Sequence, residues 1–151
     1  MGDRIAKNSK AYRDYILEHT WECGIALSGG EVKSVRAGEV SFADSFARAE
    51  GGQMFLHNLH INPYLQSSYL NDDPDRPRKL LLHKKEILKI GNLAREKRMA
   101  LIPTKIYFNK RGFIKIEIAL GRGKKQYDKR ETIKKRDIER GLKRALKMRK
   151  G

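Results

Sequence analysis

LIPTKIYFNKRGFIKIEIAL, residues 101–120, holds two runs rich in β-branched and aromatic residues, 101–108 and 112–120, on either side of Asn109-Lys110-Arg111-Gly112. In the second run Phe113, Lys115, Glu117 and Ala119 alternate with Ile114, Ile116, Ile118 and Leu120. A period of two puts the isoleucines on one face of a strand. A short turn ending in glycine between two such arms predicts an antiparallel hairpin.

The same reading extends outward. Residues 12–27 (YRDYILEHTWECGIAL) have strand composition and predict one long bent strand or two short ones, ended by Gly29-Gly30. Residues 31–37 place Val32, Val35 and Arg36 at helical spacing, with Gly38 as a stop. Residues 41–50 and 53–61 flank Gly51-Gly52 as a second hairpin, although the alternation of Phe42, Asp44, Phe46 and Arg48 is imperfect. Asn62-Pro63 and NDDPDRP (71–77) read as loop. Residues 80–98 carry apolar side chains at 80, 81, 87, 88, 90 and 93, a helix divided or kinked at Gly91-Asn92. Residues 1–10 are polar and are expected to be loose. The sum is about six short strands and two or three helices, with no βαβ alternation. That pattern predicts a mainly β protein, its antiparallel sheet closed into a small barrel with flanking helices, because closure removes exposed edges.

Charge is distributed unevenly. Residues 121–151 carry 14 Lys or Arg against four Asp or Glu, a net of +10 out of the chain's +16. Residues 1–120 hold 20 against 14, a net of +6. The division expected is a folded domain over 1–120 and a basic tail over 121–151 that is disordered when free, since it cannot bury enough apolar surface to offset its ordering entropy. Opposite a polyanion the same charges release counterions and become binding energy. Ile138, Leu142, Ala145 and Leu146 fall at helical spacing, so residues 131–149 can form a basic amphipathic helix once bound, with Gly141 costing it roughly 1 kcal/mol.

Enzyme chemistry finds little support. Cys23 is the single cysteine, which excludes an internal disulfide and a cysteine-rich zinc site. His57 and His60 on one strand point to opposite faces, and His19 and His83 are isolated. Asp72, Asp73 and Asp75 could be imagined around Mg²⁺, but beside Pro74 and Pro77 they suit turn chemistry better. GRGKK (121–125) lacks the spacing of a phosphate-binding loop. No enzyme, no metal and no cofactor are expected. The N-terminus has no apolar core region, Ala6 stands where a myristoylation motif wants Ser or Thr, and no apolar run reaches ~20 residues. The expected setting is cytoplasmic, without a membrane.

Cationic clusters are the stronger signal. Arg76, Arg78 and Lys79 precede His83, Lys84 and Lys85, crowding cations around the expected start of a helix, where they oppose its dipole. Lys33 and Arg36 make a second, weaker patch. Glu22, between Trp21 and Cys23, is either an outward strand position or an acceptor for a base amino group. Tyr127 lies among the cations of 122–130, an arrangement suited to backbone tracking and base stacking.

Four blocks, GIALSGGEVKSVRAG (24–38), SFARAEGGQMFLHNLHINPY (45–64), DPDRPRKLLLHKKEI (73–87) and LIPTKIYFNKRGFIKIEIALGRGKKQYDKR (101–130), together resemble the small protein B (SmpB, SsrA-binding protein) family over about residues 6–147. The resemblance implies a non-catalytic factor of trans-translation with an oligonucleotide-binding (OB)-like barrel. Its barrel would bind the tRNA-like domain of transfer-messenger RNA (tmRNA, SsrA). Its tail would become helical in the empty mRNA channel of a stalled ribosome, contacting chiefly 16S rRNA of the small subunit. Elongation factor Tu is implied as a partner through alanyl-tmRNA, and the protein is expected to be a monomer. Carried over by position, Asn8, Glu22 and Leu81 are tied to the tRNA-like domain, with Lys33, Arg36, Arg78, Lys79, His83 and Lys84 as companions. Gly123, Lys124, Lys125, Tyr127, Asp128, Lys129 and Arg130 match the motif that approaches the decoding centre, and Ala145 and Leu146 the end of the tail helix. Cys23 replaces a common alanine, expected to be a quiet packing change. The alternative is a ribosomal structural protein or general RNA chaperone.

Overall fold

The computed structural model describes residues 4–64 and 73–124. In chain order the elements are β1 (Arg4–Lys7), α1 (Ser9–Asp14), β2 (Tyr15–Ile25), α2 (Gly29–Arg36), β3 (Val40–Ser41) and β4 (Phe46–Glu50). They continue with β5 (Gln53–His57), β6 (His60–Ile61), β7 (Arg78–Leu81), α3 (Lys84–Lys97), β8 (Ala100–Phe108) and β9 (Ile114–Gly123). The hairpin expected from 101–120 is β8 and β9. Its turn is held by Asn109, whose Oδ1 accepts the Arg111 and Phe113 amides at 3.0 and 2.9 Å, with Gly112 at φ +80°.

Seven strands form one antiparallel sheet in the order β1-β8-β4-β5-β7-β2-β9, and β8 also pairs with β9. From β8 the pairings therefore run through β4, β5, β7, β2 and β9 and return to β8, with β1 pairing further along the edge of β8 that β4 meets at Leu101. The inward residues are those that the alternation selects: Met54, Leu56, Leu80, Ile116, Ile118 and Leu120 are fully buried, and Ile87 and Ile90 of α3 join them.

Four expectations need correction. Within the segment expected to be loose, residues 4–7 form β1, which pairs with β8, and α1 follows it. Residues 12–14 accordingly belong to α1, and β2 is one strand of 11 residues bent by a register shift between Glu18 and Thr20, with His19 at φ 45°. Residues 80 and 81, expected to begin a helix, instead end the strand β7. Arg78 and Leu80 point in while Lys79 and Leu81 point out, a period of two that a helical count obscures. Helix α3 starts only at Lys84, after extended His83, and runs unbroken through Gly91 to a left-handed Arg98. The strand of 53–61 also breaks, at Asn58 with φ 62°, so His57 and His60 fall in different sheets and face different carboxylates, Glu50 and Asp75.

Glu31 and Arg78 tie α2 to β7. Ser28 and Glu31 form a capping box at the start of α2, and the buried Glu31 carboxylate also receives Arg76 and, at 2.8 Å, Arg78 Nε. Arg78 further donates to the carbonyls of Leu59 and Pro74. Cys23 is buried, and burial pushes its thiol up to about 12. Asp73 Oδ1 accepts the Asp75 amide at 2.9 Å, the turn chemistry anticipated for this loop. Among the described residues, no helix is long and apolar enough to cross a membrane.

Candidate nucleic-acid interface

Residues in register share one face of a sheet, so the pairings themselves assemble the exterior. One outward row crosses five strands: Leu81 of β7, Gly24 of β2, Lys115 of β9, Tyr107 of β8 and Arg4 of β1. The next outward row is Glu22, Glu117, Lys105 and Lys7. Gly24 makes the first row possible, since a Cβ there would lie 3.0 Å from Leu81 Cβ. Leu81 is 52 % exposed and Phe113, at the tip of the β8–β9 hairpin, is 63 % exposed.

This face gathers most of the residues singled out in the body of the sequence. The lining of a cleft of about 520 Å³ includes Glu22, Lys79, Leu81, His83, Lys84 and Lys115, with Glu86 as a second carboxylate. A neighbouring pocket of about 280 Å³ brings in Arg36 and Phe113 and shares Leu81 and Lys115. Arg36 stands 5.8 Å from the Phe108 ring centroid, and exposed Lys33 lies 5.2 Å from that of Tyr64. The basic side chains around the start of α3 are Lys84 and Lys85, with His83 just before them, because Arg76–Lys79 lie upstream in loop and strand.

Two residues expected at the interface are interior. Arg78 is 0 % exposed and spends its donors on Glu31 and on backbone carbonyls, so its guanidinium is interior and is not presented on this face, unlike the expectation of an exposed cation. Asn8 is buried as the N-cap of α1; its Oδ1 accepts the Ala11 amide and its Nδ2 donates to Pro103 O at 2.8 Å. Any influence of Asn8 on a ligand therefore passes through the placement of α1 against β8.

Glu22 is outward and exposed, and the Tyr107 hydroxyl donates to its Oε2. Burial, reinforced by that hydrogen bond and by the Glu22 charge, raises the Tyr107 pKa, so the hydroxyl keeps its proton. Tyr107, Lys105, Lys115, Lys7 and Arg4 were not singled out in the sequence. The signal that could have found them was the alternation of 101–108, where Lys105 and Tyr107 occupy the face opposite Ile106. At the end of β9, Gly123 pairs with Tyr15, and Lys124 Nζ donates to Tyr12 O at 3.3 Å. Lys125, Tyr127, Asp128, Lys129, Arg130, Ile138, Leu142, Ala145 and Leu146 lie outside the described residues.

Chemically, the cations can face phosphates, Leu81 and Phe113 offer apolar contact, and Glu22 accepts hydrogen bonds. Fold and face together define a small antiparallel β protein with three helices among the described residues and a mixed cationic and aromatic exterior. The family model described as SmpB protein matches residues 5–148, and the chain belongs to the SmpB family. It is 54 % identical over 143 residues to an SsrA-binding protein of Thermosipho melanesiensis, covering 95 % of this chain and 97 % of the relative. It is 50 % identical over 146 residues to the SsrA-binding protein of Bacillus subtilis, covering 97 % and 93 %. A solved chain from "tmRNA-SmpB: a journey to the center of the bacterial ribosome" is similar at TM-score 0.67 and 50 % identity, over 80 % of this chain and 84 % of that one.

Proposed function

We propose that this chain is a non-catalytic RNA-binding factor of trans-translation, which binds the tRNA-like domain of tmRNA and delivers it to the A site of stalled ribosomes. In this reading the cyclic strand pairing is a closed OB-like barrel, and residues 1–120 are the domain that grips tmRNA. Residues 121–151 approach the decoding centre and 16S rRNA and fold as a helix in the vacant mRNA channel. Elongation factor Tu is met through alanyl-tmRNA, and the factor works as a cytoplasmic monomer. The likeness to SsrA-binding proteins along nearly the whole chain supports this, as does the solved neighbour named for tmRNA, SmpB and the ribosome.

The observation that carries the reading is Glu22. An outward carboxylate among Lys79, Lys84 and Lys115 weakens attraction to a generic polyanion, so its presence there favours recognition of a particular RNA surface. Glu22→Ala makes the protein more basic, and a simple polycation would then bind RNA more tightly. The expected result is the opposite: weaker binding to tmRNA in a gel-shift, with binding to bulk tRNA unchanged or slightly stronger. Selectivity for tmRNA that persists near ~0.2 M salt distinguishes shape recognition from counterion release. Equal or tighter binding of tmRNA by the variant would sink the reading.

A further inference from the structure

On the other side of Glu22 lies an open groove of about 1080 Å³ that none of the residues carried over from the family resemblance lines except Glu22 itself. Its walls come from both ends of the described chain: β1 and α1 on one side, β8 and the β8–β9 turn on the other. Five cations face it, Arg4, Lys7, Lys105, Lys110 and Arg111, against two carboxylates, Glu22 and Glu117. Lys105 lies 3.9 Å from Glu117. Among the described residues no carboxylate pairs with Arg4, Lys7, Lys110 or Arg111. Two aromatic rings complete the lining, with Lys7 Nζ 4.7 Å from the Tyr12 centroid and Lys105 Nζ 5.4 Å from that of Tyr107.

The Tyr107–Glu22 hydrogen bond stands where this groove meets the smaller cleft. A carboxylate only accepts hydrogen bonds. With Oε2 held by Tyr107, Oε1 is left for a donor arriving from outside. Without the hydroxyl the Glu22 side chain is free to swing between the cations on either side.

We propose that the groove binds the ribose-phosphate backbone of an RNA strand, and that Tyr107 is a positioning residue which holds Glu22 so that its other oxygen accepts the amino group of a base at the groove's mouth. This rests on the reading of the chain as a tmRNA-binding factor and extends it to β1, β8 and their neighbouring turn. An acidic peptide would also be drawn to the cations, but it would meet Glu22 and Glu117 as like charges. Nucleic acid supplies both what the cations want and what Glu22 wants. The rings of Tyr12 and Tyr107 suit it as well, since every base has a face that can stack.

Two full-length variants separate the parts. Lys110 and Arg111 lie at the hairpin tip, where the double substitution Lys110→Ala, Arg111→Ala disturbs little of the fold. It should weaken binding to tmRNA and to bulk tRNA alike and reduce the slope of log affinity against log salt by about two. Tyr107→Phe should weaken tmRNA binding about tenfold, as expected if the released Glu22 carboxylate no longer accepts the base amino group, a hydrogen bond to a charged group made only in the complex. It should leave the salt slope and the affinity for bulk tRNA unchanged, and cause no further loss in a Glu22→Gln background. An unchanged salt slope in the double variant excludes backbone from the groove. An equal loss from Tyr107→Phe with and without Glu22 shows that the tyrosine acts independently of the carboxylate. Failure of the wild-type protein to prefer tmRNA over bulk tRNA overturns the underlying functional reading instead, so the two failures are told apart.

Discussion

Arg78 and Lys79 are adjacent cations with opposite fates. Lys79 faces solvent, whereas Arg78 reaches inward to Glu31, and nothing in the composition of RPRK distinguishes them. Only the strand's period of two does, and reading residues 80 and 81 as helical hid it. The role of Glu31 is hidden in the sequence for a related reason, since its partners lie 45 and 47 residues away. Removing one member of a buried pair leaves the other charged and unpaired. Glu31→Ala should therefore cost about 3–5 kcal/mol of stability in urea unfolding. The pair also predicts a pH dependence. Burial alone would raise the Glu31 pKa, but hydrogen bonds from Arg76, the Ser28 amide and Arg78 prevail and hold it below its usual 4.5. A carboxyl depressed by folding contributes its full stabilisation above its unfolded value, and that contribution disappears as pH falls through the folded one. Urea midpoints should decline below pH 4.5 more steeply in the wild type than in Glu31→Ala.

Elements differed in how plainly they could be read. The β8–β9 hairpin was legible because its alternation is long and its turn carries Asn and Gly, while α2 was marked by regular spacing and a glycine stop. The four-residue strands β1 and β7 offer only two inward positions each, too few to establish a period. Tertiary pairing with β8, β2 and β5 holds them in place. In α3 a mid-helix glycine suggested a kink, yet the helix continues, and the reason is contact with β4. A Cβ on Gly91 would lie 3.1 Å from Ala49 Cβ. Gly91→Ala at an open helix position would gain about 1 kcal/mol. Here the gain should be lost or reversed, and thermal unfolding should show Ala49→Gly restoring part of it in the double variant. Simple additivity of the two substitutions would refute the contact as the reason for the glycine.

At the scale of the whole molecule, charge separates the parts more sharply than any linker does. The body carries +6 and the stretch from Gly121 onward +10, although β9 continues to Gly123, so the structural end of the sheet lies slightly inside the basic segment. The candidate face was partly legible: Glu22, Lys79, Leu81, His83 and Lys84 could be named and do line one cleft. Its continuation across Lys115, Tyr107 and Arg4 could not, because it depends on which strands become neighbours. If the body recognises tmRNA and the tail acts on the ribosome, deleting residues 131–151 should leave affinity for the tRNA-like domain nearly intact. The same deletion should abolish peptide tagging on stalled ribosomes. Loss of RNA affinity on truncation would show that the labour is not divided in this way.

The row from Leu81 through Gly24, Lys115 and Tyr107 to Arg4 has a consequence for biosynthesis. Its members span most of the described chain, and β2 and β8 each take β9, the last strand among the described residues, as a partner. While a nascent chain is still emerging, the N-terminal strands must wait for those made last, a long loop closure of the kind that slows folding. A polypeptide released before residue 114 would lack β9, leaving one edge of β2 and one edge of β8 unpaired, and so could not present the completed row to any RNA.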